Sequence, residues 1–154
     1  MLATIIGILL NLNLLKEIDI QLQTLALTTE TKTFKTMTKE VSNIYRYNFD
    51  FYKKLIATNP EVELKGASMP YTSYNGNMFS YLEKDGSLGL RLPTTELENF
   101  LKKYKTTLFL SYGIVKKEFV LVPDKLLKNT KELKPYFDIS FEYVKTLKAK
   151  PTKK

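Results

Sequence analysis

A chain of 154 residues with 44% hydrophobic and 26% charged side chains has the length of one globular domain and enough apolar residues for one core. It contains neither cysteine nor histidine, which excludes disulfides, thiolate chemistry, the usual zinc ligands, and Ser–His or Cys–His hydrolase designs. The net charge is +8, but only Arg46 and Arg91 are arginines and the other 22 basic residues are lysines, a composition poorly suited to bidentate reading of phosphates or base edges.

Residues 1–15, MLATIIGILLNLNLL, are largely apolar, yet shorter than the roughly twenty residues of a spanning helix and broken by Asn11 and Asn13. No basic residue precedes Lys16 and no Ala-x-Ala pattern follows, so the run lacks the marks of a secretory signal. The threonine-rich stretch 25–36, LALTTETKTFKT, reads as a linker. Residues 1–36 balance Lys16, Lys32 and Lys35 against Glu17, Asp19 and Glu30, which places the whole positive excess after Met37. We therefore expect an amino-terminal extension over 1–36, loosely attached, a folded module over 37–148 and a disordered basic tail over 149–154.

The module opens with a helix. From Thr38, apolar residues recur at Val41, Ile44, Tyr45, Tyr52, Leu55 and Ile56, and Asn59-Pro60 stops the run. Asn75-Gly76 and Asp85-Gly86 then mark two hairpin turns with strand-like residues on either side, a three-stranded antiparallel meander over 67–93. With two-residue turns at both, alternation puts Thr72, Tyr74, Phe79, Tyr81, Leu88, Leu90 and Leu92 on the core face. Met69, Tyr71, Ser73, Met78, Ser80, Leu82, Gly89 and Arg91 fall on the other. Thr95 and Glu98 have capping-box spacing, and Leu97, Phe100, Leu101 and Tyr104 form one helical stripe. Strands follow over 107–112 and 117–122. Pro123-Asp124 starts the terminal helices, with Asp124 and Thr130 as cap candidates and Phe137, Phe141 and Val144 as an apolar stripe. The fold class is α+β: a two-layer sandwich with a five-stranded antiparallel sheet, helices on one face and order α-β-β-β-α-β-β-α.

Several of these features also carry a family resemblance: Met69, Tyr74-Asn75-Gly76, Met78-Phe79, the Leu88-x-Leu90-x-Leu92 strand, and Lys117-Glu118-Phe119-Val120-x-Val122-Pro123 before a terminal helix. On these the chain from about Phe51 to Lys148 resembles the TfoX amino-terminal domain family of TfoX/Sxy-like proteins. The resemblance implies a two-layer α/β sandwich without catalytic residues, acting as a cytoplasmic regulatory module.

The second sheet face supplies the candidate site. It is only half polar, and Met69, Tyr71, Met78 and Leu82 are unusual residues to leave in water, which makes them and Arg91 candidate interface residues for a protein partner or a second copy. Arg91, a lone arginine in a leucine strand, suits a carboxylate or phosphate; strand alternation alone also accounts for a polar residue there. Tyr71, Tyr74, Tyr81, Tyr112, Tyr136 and Tyr143 offer aromatic surface or ordinary packing. Glu83 and Asp85 fit a hairpin tip, and Lys116-Lys117 a solvated run or phosphate contacts. No catalytic, cofactor or metal residues are assigned. A non-enzymatic interaction module is the leading expectation, with electrostatic nucleic-acid binding and a small Lys-, Tyr- or carboxylate-based enzyme as alternatives; no stable membrane insertion is expected.

Overall fold

The computed structural model describes residues 2–151 and divides into two units, Met1–Glu40 and Val41–Lys154. Helix α1 (Leu2–Ala57) supplies all described residues of the first unit and opens the second. The threonine-rich stretch is therefore not a linker. Its hydroxyls find partners inside the helix: Thr24, Thr28, Thr29, Thr33 and Thr36 each donate to the carbonyl four residues earlier, which removes their incentive to compete with helical bonds. Large apolar side chains stand exposed along this unit, among them Leu2, Ile5, Ile8, Leu9, Leu12 and Leu15. Among the described residues, no helix is long and apolar enough to cross a membrane.

The second unit is an α+β sandwich. After the end of α1 come β1 (Tyr71–Tyr74), β2 (Asn77–Leu82), β3 (Leu88–Arg91), α2 (Thr94–Tyr104), β4 (Leu108–Ser111), β5 (Ile114–Val122), α3 (Asp124–Lys128) and α4 (Thr130–Thr146). The terminal helix is thus two helices that meet at Asn129. All five strands pair antiparallel in the order β1-β2-β3-β5-β4, so β1 and β4 are the edges.

Helices cover one face of this sheet. Tyr52, Leu55 and Ile56 of α1, Leu97 and Phe100 of α2, Leu126 and Leu127 of α3, and Leu133, Phe137, Phe141 and Val144 of α4 are buried against Phe79, Leu82, Leu88, Leu90, Leu92, Val120 and Val122. Of the predicted stripes, Phe137, Phe141 and Val144 of α4 are all buried, whereas in α2 Leu97 and Phe100 are buried and Leu101 and Tyr104 only half-buried. In α1 the stripe is buried only from Asn48 onward, with Val41 and Ile44 exposed.

Turn chemistry sets the register, with one departure. Asn75 (φ 48°) and Gly76 (φ 74°) make the expected two-residue turn, and Tyr112 (φ 49°) with Gly113 (φ 75°) makes a second of the same kind. The β4–β5 hairpin is accordingly tighter than the expected strand limits. At Asp85-Gly86 the loop is one residue longer than expected: Glu83 donates to Ser87 O, Gly86 donates back to Glu83 O, and only Gly86 takes positive φ. Asp85 Oδ1 accepts the Ser87 N–H, which favours this three-residue loop over the two-residue turn.

The expected side-chain caps are not formed. Pro93, Pro123 and Asn129 occupy the N-cap positions, none with a side-chain cap bond, while Thr95, Asp124 and Thr130 lie inside their helices. A proline before each of α2 and α3 sets an extended entry, with ψ of 156° and 143°. Past α4 the chain turns back on the first hairpin: Asn77 Nδ2 donates to Lys148 O at 3.0 Å and Lys150 N–H to Asn75 O at 2.9 Å. This part of the expected tail is ordered against the sheet; residues 152–154 of it lie outside the described residues.

Candidate binding site on the open sheet face

The site begins with one extra residue. Between Thr72↔Ser80 and Ser73↔Met78 the pairing of β1 and β2 shifts, leaving Phe79 as a bulge. Phe79 still packs on Phe137 and Phe141, with ring centroids 5.6 Å from each. Beyond it the alternation is inverted. Ser80 and Leu82 turn to the helices and Tyr81 turns to the open face, the reverse of the expected assignment. Leu82, completely buried in the core, is therefore not an interface residue. The longer second loop restores the phase, so Leu88, Leu90 and Leu92 face the helices as expected.

Ser80 now meets a buried polar network in the core layer, in which its hydroxyl bonds Tyr52 Oη at 2.7 Å and also Thr72 Oγ1. Burial pushes the Tyr52 phenol well above its ordinary pKa, and the two hydroxyls pull weakly the other way.

On the open face Tyr81 packs edge-on against Phe109, 5.0 Å between centroids, and Phe119, 5.5 Å. Phe109 reaches from the edge strand to Gly89, two strands away, where a Cβ would lie 2.9 Å from its ring. Gly89 thus opens the space that the aromatic ring fills.

Beside these rings lies a cavity of about 450 Å³, lined by Met69, Met78, Tyr81, Arg91, Phe119 and Lys116, with Ser111, Tyr112, Gly76 and Lys150 completing its wall. Three of the five candidate residues, Met69, Met78 and Arg91, converge here. Tyr71 is half-buried next to it, paired with Tyr81 across the ladder and packed on Gly66.

The electrostatics of the cavity are uneven. The Arg91 side chain is only 13% exposed; its Nη2 pairs with Glu118, and its Nη1 lies 3.5 Å from Met78 O. The guanidinium sits 5.9 Å from the Phe119 ring centre and 5.8 Å from that of Tyr143. Tyr143 donates to the other Glu118 oxygen at 3.0 Å, and burial, then Glu118, raise its pKa. Among the described residues, two side-chain polar atoms remain buried without a partner: Arg91 Nε and Tyr81 Oη. Ser111, which also lines the wall, gives its proton to Glu83. Burial raises the Tyr81 pKa, and the Ser111 hydroxyl beside it pulls the other way.

Other candidates fall elsewhere. Tyr74 packs edge-on to Phe141, and Tyr136 to Phe100. Asp85 serves the loop, and Lys117 is exposed. Tyr81, named among the tyrosines that offer aromatic surface but assigned to the core face, reaches the open face through the bulge; Lys150, which sequence reasoning missed, arrives through the return of the chain after α4.

Next to the cavity the β4–β5 hairpin exposes Tyr112 and Ile114, while Leu110 and Val115, exposed and directly opposite each other, alternate onto the other face of the sheet. Among the described residues, no group of three or more carboxylates is placed to hold a metal ion. Comparison with family models, with curated proteins and with solved structures finds no match for this chain.

Proposed function

We propose that the second unit is a non-enzymatic, cytoplasmic regulatory module of the TfoX amino-terminal type, which engages a protein partner through the open sheet face and the adjoining hairpin. The observation that carries this reading is the continuity of the hollow at Met69, Met78 and Arg91 with the exposed Tyr112 and Ile114, since Tyr112 lines the hollow and Ile114 pairs with Ser111, which lines it too. An apolar patch next to a partly charged hollow is the make-up of an interaction surface rather than of a solvated sheet. The hairpin punctuation and core positions that resemble the TfoX family support the same reading.

The test uses the full-length chain as bait in its native cells, with Met78→Asp and Ile114→Asp beside the wild type, and light scattering on each purified protein. We expect a partner, or a second copy, to be held by the wild type and lost by both variants, while their melting curves stay cooperative. A monomeric wild type that recovers no partner overturns the reading.

A further inference from the structure

From the spacing of apolar residues along α1 we infer that the first unit pairs with the same unit of a second copy of this chain, as a parallel two-stranded coiled coil. Every described residue of the unit is exposed, so the fold gives this stretch of helix no packing partner within the unit. Most helical stability in proteins comes from burying an apolar face, which here needs a second molecule. Ile8, Asn11, Leu15, Ile18, Leu22 and Leu25 recur at intervals of three, four, three, four and three residues. That is the a/d spacing of a heptad, which keeps one seam facing the partner along two supercoiled helices. Five of the six positions are apolar and none is charged.

The polar residue in the seam selects both the occupant and its direction. In a parallel pair in register each residue meets its own copy, so the two Asn11 amides donate to and accept from each other. Reversing one helix so that Ile8 meets Leu25 sets Asn11 against Leu22, and slipping it by one heptad sets Asn11 against Ile18. Either arrangement leaves a buried amide without a partner. The five apolar seam residues are 46–64% exposed, and Leu12 and Leu14 widen the seam on its two sides. Each helix therefore has on the order of 500 Å² of apolar surface to bury, and a pair reaches the roughly 1,000 Å² of a specific interface. A lipid surface fits this helix less well. Asn11 and Asn13 project about 200° apart, so residues 2–15 have no single polar side to turn to water, and Lys16 is the only basic residue before Lys32.

The chain has no cysteine, so single introduced cysteines report which positions meet. Full-length Leu22→Cys is oxidised beside Thr24→Cys, which lies about 200° around the helix. The masses of the wild type and of Met78→Asp are followed by sedimentation as each is diluted from about 100 μM. We expect a dimer that persists in Met78→Asp, where the open sheet face is disabled, and a disulfide formed readily by Leu22→Cys and not by Thr24→Cys. Leu15→Asn should raise the dissociation constant roughly tenfold. In a mixture of Ile8→Cys and Leu25→Cys, each should link to its own kind, whereas a mixed disulfide would mean reversed helices and contradict the parallel register. A monomer at every concentration, equal crosslinking at positions 22 and 24, or a dimer lost in Met78→Asp overturns the inference. A chain that is monomeric in buffer but floats with phosphatidylcholine vesicles overturns it in favour of a lipid surface.

Discussion

The two faces of one sheet solve the problem of buried polar groups in opposite ways. On the helix-covered face, Tyr52, Ser80 and Thr72 are buried together and satisfy one another. On the open face, Tyr81 is buried almost as deeply, yet its hydroxyl, like Arg91 Nε, is buried without a partner. Both phenols sit on packed aromatic or aliphatic neighbours, so burial alone does not separate them. What separates them is whether folding supplies the acceptor. Folding completes one face and leaves the other short of acceptors.

The largest effect that this contrast predicts belongs to the covered face. Leu90→Ala opens a void between β3 and the helices, and its cost should be about 3 kcal/mol, read as a lower denaturation midpoint at unchanged m-value. On the open face, Gly89→Ala forces the Phe109 ring away from β3, with a destabilisation of about 1–3 kcal/mol expected from chemical denaturation. No loss there would mean that the aromatic patch is as loose as an exposed one.

Alkaline titration sharpens the comparison next. The Tyr52 phenol is raised by burial above its ordinary value of 10.0. Above that pH the unfolded chain gives up a proton that the folded chain keeps, so stability falls as pH rises; below it the contribution is fully present. The expected result is a midpoint that is flat up to about pH 10 and then declines. Tyr52→Phe should blunt the decline. The smallest effect is at the hairpin: Tyr112→Ser and Ile114→Ser should change stability by no more than about 0.5 kcal/mol, since both side chains already stand in water. Their signature should be weaker association instead.

Most of the covered face was legible in the sequence, because helical stripes and the Leu88, Leu90, Leu92 alternation are patterns that core burial imposes. Asn48 was legible too in principle. It falls on the α1 stripe between Tyr45 and Tyr52, and a polar residue there announces a buried bond, which it makes to Gly86 O and Asp124 Oδ1, each at 2.9 Å. The open face was legible only in part. Met69, Met78 and Arg91 were placed on it, but Leu82 and Tyr81 exchanged faces through a bulge at Phe79 that no turn residue marks. Asp85-Gly86 announced a turn without announcing its length. The threonine-rich stretch misled for a related reason, since hydroxyls that favour loops are equally content with carbonyls one helical turn behind them.

The contrast between the two faces is tested most directly by removing one hydroxyl from each, in Tyr52→Phe and Tyr81→Phe, and comparing the two melting midpoints with the wild type. The Tyr52 hydroxyl makes its bond within the fold, so its loss should cost about 1 kcal/mol and lower the midpoint by roughly 4 °C. The Tyr81 hydroxyl is desolvated without a bond, so its loss should leave the midpoint unchanged or raise it. A Tyr81→Phe protein destabilised as much as Tyr52→Phe would mean that folding already satisfies this group, and that the open face is a second core rather than a binding face.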